Sequence, residues 1–254
     1  MKAAPAPDAP LRLLAIGAHP DDVEISCGGT LAAAAGEGLA VGILDLTRGE
    51  LGTNGTPEVR AREAEEAARL LGVAGRWNAG LPDGALHAYD PAQVRSVVEA
   101  IRRLRPEVVV THYPQDRHPD HVAASALVDR AVYLSGLRRA DAAGEPHRPR
   151  ALYHFASRIG FIPSFVIDVT ETWETKVAAI RAHGSQVGRE AEGTVATPLN
   201  RPGFLEFVAS RARHYGGMIG ARYGEPFHAT DPIGFRTVAA LLGTHRPTPG
   251  SFTG

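Results

Sequence analysis

The sequence has a single cysteine, no excess of either charge and no long apolar segment. Cys27 cannot form an internal disulfide and supplies no thiolate cluster for a structural metal, so a bound metal must use histidine and carboxylate ligands. The 27 basic and 28 acidic residues nearly cancel, so no overall field recruits nucleic acid or an anionic membrane surface. We therefore expect a partner that is either a small molecule or a protein, with no nucleic acid and no membrane.

The chain is long enough for one substantial domain. It has 254 residues, of which 44% are hydrophobic, enough for one sizeable core. Residues 1–10, MKAAPAPDAP, contain no apolar stretch that could act as a signal peptide or membrane span, so we expect a cytoplasmic protein. The sequence predicts a flexible tail at 1–10, a single domain at 11–243 and a C-terminal tail at 244–254.

Strand-like and helix-like patterns alternate along the first half of the chain. Four segments are apolar or β-branched over the length of a strand: LRLLAIG at 11–17, AVGILDLT at 40–47, the weaker RWNAG at 76–80 and EVVVTHY at 107–113. Helical patterns separate them, and Pro57 and Pro91 stand where helices begin. The alternation predicts an α/β fold with a Rossmann-like, doubly wound, mostly parallel sheet and helices on both faces.

A first polar cluster, AHPDDVE at 18–24, follows the first predicted strand. Open α/β sheets place their ligand sites at the carboxyl ends of strands. His19 and Asp22 are close enough on one tight loop to bind a single metal ion through nitrogen and oxygen. Asp21 lies between them, where it can face a metal-bound water.

A second cluster, DRHPDH at 116–121, follows the fourth predicted strand. In the commonest doubly wound order the first and fourth strands are neighbours, so the two loops meet across one crevice. This predicts three ligands, His19, Asp22 and His121. Two histidines and one carboxylate with an open fourth position form a known catalytic zinc site, so we expect one Zn²⁺ per subunit. Other divalent transition metals suit the same ligands.

The residues around these ligands suit amide hydrolysis. Bound zinc lowers the pKa of its water to about 7, so a nearby carboxylate, Asp21, need only accept the proton during attack. His118 can stabilise the oxyanion and then protonate the leaving amine, with Asp120 hydrogen-bonded to its imidazole.

Each cluster taken alone has a simpler explanation. Pro-Asp pairs are common in turns and helix caps, and an HPDH segment can be an exposed helix N-terminus. Both clusters lie at strand ends predicted to adjoin, which favours a site. The remaining histidines lack partners at ligand spacing and are expected at the surface or hydrogen-bonded in the core: His87, His112, His147, His154, His183, His214, His228 and His245.

The loop GELGTNGT at 49–56 is equally consistent with simple flexibility, but its position beside the crevice favours substrate contact and makes Asn54 a candidate. Arg60 is consistent with pairing to Glu63 or Glu65 and Arg117 with simple solvation. Their nearness to the clusters makes both candidates to bind anions or hydroxyls.

The two clusters make the sequence resemble the PIG-L/LmbE-like zinc N-deacetylases, whose hallmark is a His-Pro-Asp-Asp loop paired with a later His-Pro-Asp-His. Further stretches resemble the branch of the family that acts in bacillithiol biosynthesis: LTRGELGTNGTPEVR at 46–60, GLPDG at 80–84, DRHPDHVAAS at 116–125 and YGGMIGARYGEPF at 215–227. The resemblance implies the same metal ligands, with Asp21 as base and His118 oriented by Asp120.

The resemblance also implies roles for residues outside the two clusters. Arg60 and Asp83 are expected to contact the sugar or its aglycone, and Arg117 to bind an acidic group. Tyr223 is expected to reach the reaction centre as an oxyanion donor.

The reaction expected of this branch is hydrolysis of N-acetylglucosaminyl-malate to glucosaminyl-malate and acetate, often by a homo-oligomer and possibly a hexamer. The malyl group carries two carboxylates, which suits arginines near the crevice. One alternative is a broader N-acetylglucosamine or chitooligosaccharide deacetylase. Another is a non-catalytic sugar- or nucleotide-binding protein, although the first loop lacks the Gly-x-Gly-x-x-Gly fingerprint of dinucleotide sites.

Overall fold

The computed structural model describes residues 10–187, 194–235, 237 and 238. The C-terminal tail expected at 244–254 lies outside the described residues, so the domain boundaries stay a prediction. No helix in this described part combines the length and apolar character needed to cross a membrane. The elements, in chain order, are β1 Leu13–Gly17, α1 Asp22–Gly36, β2 Val41–Thr47, α2 Pro57–Leu71, β3 Gly75–Leu81, α3 Pro91–Leu104, β4 Val108–His112, α4 Pro119–Ser135, β5 Ala151–Phe155, β6 Phe165–Asp168, α5 Trp173–Ala182, α6 Phe204–Met218 and β7 Gly224–Ala229.

The strands form one seven-stranded sheet in the order β3-β2-β1-β4-β5-β7-β6. The first five strands of the chain are parallel, whereas β7 runs antiparallel to both β5 and β6. The predicted doubly wound, mostly parallel sheet is therefore confirmed. The sequence patterns did not predict β7, which contains Gly224 and Pro226, residues that are uncommon inside strands.

Both faces of the sheet are buried, which explains why the parallel strands read as continuous apolar runs. In β1, Leu14 and Ile16 pack with residues of α3 and α4, while Ala15 faces a second cluster formed with α1, α2 and α5. The side chains alternate because successive residues of a strand point to opposite faces.

The helices that follow β2 and β3 begin where the sequence predicts. Thr56 caps α2 by accepting a hydrogen bond from the Val59 backbone N–H at 3.3 Å, and Asp90 caps α3 in the same way. Pro57 and Pro91 occupy the first turns, where the missing N–H costs nothing.

Helix α1, which begins in the first polar cluster, is interrupted at Cys27, whose φ of −137° is not helical. The Glu225 carboxylate from β7 accepts hydrogen bonds from the backbone N–H groups of Gly29 at 2.9 Å and Thr30 at 2.7 Å. Lys176 of α5 forms an ion pair with the same carboxylate, and both side chains are buried. A Cβ at Gly29 would lie 2.8 Å from Val169, so this close approach requires glycine.

We predict that Glu225→Ala destabilises the fold by about 3–5 kcal/mol, because it leaves the buried Lys176 charge without its partner. Urea unfolding followed by circular dichroism measures the change. The matched control is Glu66→Ala, which removes an exposed ion pair with Arg69 and should change stability little. Equal effects of the two substitutions would contradict a structural role for the buried pair.

Candidate metal centre

The loop between β1 and α1 is held in an unusual conformation. Asp21 has a φ of 118°, in the left-handed region that non-glycine residues rarely adopt. Arg60 of α2 supports this loop, donating to the carbonyl oxygen of Pro20 at 2.8 Å and to the Asp21 carboxylate at 3.3 Å. Its other terminal nitrogen donates to the carbonyl oxygen of Gly49 at 2.7 Å. The β1 and β2 loops are thereby joined by one buried guanidinium.

The loop after β4 meets the β1 loop, as the adjacency of β1 and β4 requires. His118 is the N-cap of α4, and His121 lies in the first turn of that helix. The His19 ring centroid is 4.8 Å from that of His118 and 5.5 Å from that of His121. The three imidazoles thus share one crevice at the carboxyl ends of the strands.

The two oxygens of the buried Asp22 carboxylate face two different histidines. His19 Nδ1 lies 3.3 Å from Oδ2, and His121 Nε2 lies 3.1 Å from Oδ1. Three overlapping groups of side chains with metal-ligand spacing lie here among the described residues: His19, His118 and His121; Asp22, His112 and His121; and His19, Asp83 and Asp120. The structure therefore brings the three predicted ligands together.

The outer nitrogen of each of these two histidines faces a further carboxylate. His19 Nε2 lies 3.1 Å from Asp83 Oδ1 and 3.4 Å from Asp120 Oδ2. His121 Nδ1 lies 3.3 Å from Asp116 Oδ2. Metal-binding histidines commonly give their second N–H to a carboxylate, which fixes the tautomer and leaves the other nitrogen free for the metal. The donor set and its surroundings therefore fit a divalent cation.

The electrostatics of the cluster also favour a cation. Burial alone would lower the pKa of His19, but the Asp120, Asp22 and Asp83 carboxylates outweigh it and raise the pKa to about 12. Burial would also lower the pKa of His121, but the Asp22 and Asp116 carboxylates outweigh this effect and raise the pKa to about 9. A site that holds two extra protons this strongly can exchange them for a divalent metal ion.

His112 lies next to this cluster but is already engaged. Its Nε2 accepts the backbone N–H of Ala18 at 2.9 Å, and burial lowers the pKa of the ring to about 4. It is buried and hydrogen-bonded, as expected. Its Nε2 also lies 3.3 Å from Asp22 Oδ2, and Asp22 and His121 lie at metal-ligand spacing from it, which corrects the expectation that His112 has no such partners.

The centre opens into a cavity of about 510 Å³. Eight of the predicted site residues line it, namely His19, Asp21, Asp22, Arg60, Asp83, Arg117, His118 and His121. The volume is of the size that small-molecule ligands occupy in proteins. The predicted metal ligands and the predicted base therefore share one small-molecule site.

The predicted contact between the Asp120 carboxylate and His118 needs correction. His118 Nδ1 accepts the backbone N–H of Asp120 at 3.3 Å, as an N-cap side chain does. The Asp120 carboxylate instead accepts the backbone N–H groups of Gly84 at 2.7 Å and Leu86 at 3.3 Å and faces His19. It lies in the first turn of α4, where its side chain reaches the loop after β3 rather than the preceding cap residue.

Tyr223 also lies elsewhere than predicted. Its ring stacks on Trp173, with ring centroids 4.1 Å apart, inside a cluster formed with residues of α5 and α6. Tyr223 is not among the described residues that line the cavity. Packing of the large ring against Trp173 therefore replaces the expected contact with the reaction centre.

Asn54 supports the cavity instead of contacting its contents. Its side-chain amide donates to the carbonyl oxygen of Val195 at 2.8 Å and accepts the Val195 N–H at 3.0 Å. Asn54 is not among the described residues that line the cavity, which corrects the expected substrate contact. Residues 197–199, just beyond Val195, form part of the cavity wall.

The sequence patterns do not single out Asp116 and Ser157, which lie at the centre. Asp116 faces His121 and hydrogen-bonds to Ser157, whose hydroxyl also lies 3.4 Å from His121 Nδ1. Asp116 is part of the DRHPDH segment, so its proximity to a ligand was a usable signal. Nothing in the sequence pattern marks Ser157, which reaches the site only because β5 lies beside β4.

Known proteins resemble this chain along most of its length. Residues 14–132 match the family model described as PIG-L, GlcNAc-PI de-N-acetylase. A diacetylchitobiose deacetylase of Thermococcus kodakarensis is 31% identical, in a match that covers 84% of this chain and 81% of the length of that enzyme. The chain belongs to the PIG-L family. It is therefore an N-deacetylase.

Two further relatives of this PIG-L protein extend the comparison. A 1D-myo-inositol 2-acetamido-2-deoxy-alpha-D-glucopyranoside deacetylase of Kineococcus radiotolerans is 30% identical over 74% of this chain and 72% of its own. The crystal structure of a conserved protein of Thermus thermophilus is 43% identical, with a TM-score of 0.81 over 89% of this chain and 97% of that one.

We predict that Asp116→Ala weakens divalent-metal binding by about 10- to 100-fold, since it removes the carboxylate that faces the outer nitrogen of His121. Competition with a fluorescent chelator measures the affinity. Asp129→Ala is the matched control, because Asp129 pairs with His154 at 2.9 Å outside the cavity. An unchanged affinity in the Asp116 variant would show that this carboxylate does not support the centre.

Proposed function

We propose that this protein is a zinc-dependent deacetylase that hydrolyses the acetamide of N-acetylglucosaminyl-malate and releases acetate. The observation that carries the proposal is the approach of His19 and His121 to the two oxygens of Asp22, on the wall of a cavity that also contains Asp21. The relatives' names support an acetamido sugar as the substrate class.

His19, Asp22 and His121 are the residues that would hold the metal. When bound there, zinc polarises a carbonyl group and lowers the pKa of water to about 7.

Asp21 accepts the proton of the attacking water. Burial raises the pKa of Asp21 to about 6, with the charge of Arg60 opposing the rise. The carboxylate is therefore mostly ionised at neutral pH and yet basic enough to take up a proton, the balance that a general base requires. Arg60 acts on catalysis indirectly, by holding the loop that carries Asp21.

His118 donates a hydrogen bond to the acetamide oxygen during the attack of water. As the C–N bond breaks, the departing amine takes its proton from protonated Asp21 rather than from His118 as expected, because a neutral imidazole cannot act as the acid. Burial and the neighbouring His121 and His19 lower the pKa of His118, so the ring is neutral at physiological pH. Because its Nδ1 accepts the Asp120 backbone N–H, the neutral ring carries its proton on Nε2. That N–H is the donor available to the cavity.

The malyl aglycone is favoured by Arg117, an exposed cation on the cavity wall that suits a carboxylate. The second candidate is a chitooligosaccharide deacetylase, which the similarity to the Thermococcus kodakarensis enzyme favours. Both candidates use the same centre and differ only in the group attached to the N-acetylglucosamine ring.

We predict that Asp21→Asn lowers kcat for deacetylation by about 10²- to 10⁴-fold, because the amide cannot accept the proton. Acetate release from N-acetylglucosaminyl-malate is the measurement, before and after chelation and readdition of zinc. Metal content should stay at the wild-type level in the variant, which separates loss of the base from loss of the centre. Turnover that survives either chelation or the substitution would refute the assigned roles.

The choice of substrate is tested by comparing kcat/KM for N-acetylglucosaminyl-malate, N-acetylglucosamine and diacetylchitobiose. We expect the malate glycoside to be preferred by at least about tenfold, the effect of one additional charge-assisted hydrogen bond. Comparable values for all three would reject the malate glycoside and leave the broader deacetylase.

A further inference from the structure

Two loops at the cavity each carry an arginine at matching positions. Arg117 directly follows Asp116 in the loop after β4, and Arg158 directly follows Ser157 in the loop after β5. The Ser157 hydroxyl donates a hydrogen bond to the Asp116 carboxylate, so the two loops are joined one residue before each arginine. Both arginines line the cavity.

The other charged groups of the cavity already have partners. Asp21 pairs with Arg60, Asp83 accepts the Leu51 backbone N–H at 2.8 Å and faces His19, and the Asp116 carboxylate faces His121. Among the residues that the structure describes, no carboxylate lies within ion-pair distance of Arg117 or Arg158. Both are exposed side chains. The positive charge that remains free in the cavity therefore belongs to these two residues.

This arrangement suits a ligand with two negative charges. A guanidinium group binds a carboxylate through two parallel N–H donors, and two guanidinium groups can bind two carboxylates of one small molecule. A neutral sugar at the same position would form weaker, uncharged hydrogen bonds. Arg158 has no role in the metal centre, so selection of the aglycone is the role its position allows.

We propose that Arg158 is a specificity-determining residue that, together with Arg117, binds a dicarboxylate aglycone of the N-acetylglucosaminide. The inference rests on the proposed deacetylase function and adds to it a residue and a reason for selectivity. Arg158 lies in the loop after β5, outside both histidine clusters, and reaches the cavity because β5 pairs with β4.

The test compares two substrates in four variants. Arg158→Ala, Arg158→Lys and Arg117→Ala change the pair, while Arg103→Ala removes an exposed arginine of α3 that does not line the cavity. The readout is the ratio of kcat/KM for N-acetylglucosaminyl-malate to that for neutral diacetylchitobiose. Arg158→Ala should lower this ratio by about 10- to 100-fold, mainly through KM for the acidic substrate, as expected for loss of a charge-assisted hydrogen bond.

The remaining variants sharpen the result. Arg158→Lys should fall between wild type and Arg158→Ala, because a lysine keeps the charge and loses the two-donor geometry. Arg103→Ala should leave the ratio at the wild-type value. A fall in kcat/KM by the same factor for both substrates in Arg158→Ala, or an unchanged ratio, would overturn the proposal.

A binding measurement separates this inference from the proposed function. Titration calorimetry measures the affinity of the zinc-loaded protein for L-malate. This affinity tests the arginine pair even if no acetylated glucosaminide is turned over. Binding that weakens by about tenfold or more in Arg158→Ala supports the pair in either case. Failure of the wild-type protein to bind L-malate at millimolar concentration would reject it, whatever the enzyme's activity.

Discussion

The arrangement of the site depends on the buried carboxylate of Asp22 and on the histidines that pair with it. An ionised carboxylate removed from water is costly unless its oxygens are paired. Here each oxygen faces a histidine, and Oδ2 also accepts the His19 backbone N–H at 2.8 Å. The outer nitrogens of those histidines then require acceptors of their own, which draws further carboxylates to the site. The ring of acidic groups around the centre follows from pairing one buried acid.

This concentration of carboxylates links the stability of the site to a cation. Without a metal, raised pKa values at His19 and His121 supply positive charge through protons. A divalent cation would supply the same charge while the imidazoles become neutral ligands, so metal binding and proton release are coupled. The surrounding fold must hold in place, in both states, the three loops that carry these groups, which follow β1, β3 and β4.

The scaffold achieves this with buried charged groups on both sides of α1. Glu24 belongs to the same AHPDDVE segment as the predicted ligands His19 and Asp22, but it is fully buried and pairs with Arg76 of β3, which also binds Asp45 of β2. On the other side Glu225 caps the second part of the interrupted helix. The AHPDDVE segment therefore supplies side chains to the site and also the Glu24 ion pair that fixes α1 to the sheet.

The parts of this arrangement that the sequence predicts are those set by periodicity and strand order. Buried strands alternate with helices, the first and fourth strands become neighbours, and His19, Asp22 and His121 therefore meet. Side-chain direction at a helix start is a different matter. Nothing in HPDH indicates that Asp120 turns to the loop after β3, because that choice depends on the backbone donors of Gly84 and Leu86. Contacts between residues distant in sequence decide which carboxylates face the histidines of the site. Hydrophobic periodicity contains little information on such contacts.

Arg60 illustrates the same limit and shows how the loops are coupled. Resemblance suggested a substrate contact, whereas the guanidinium is bonded to the carbonyl oxygens of Pro20 and Gly49. The left-handed backbone at Asp21 costs about 1–3 kcal/mol and persists only where surrounding contacts enforce it. Gly49 is part of that enforcement, since a Cβ at its φ of 65° would lie 1.7 Å from the Arg60 guanidinium. The glycine-rich loop after β2 thus affects the chemistry through its backbone, by admitting the arginine that keeps Asp21 aimed into the cavity.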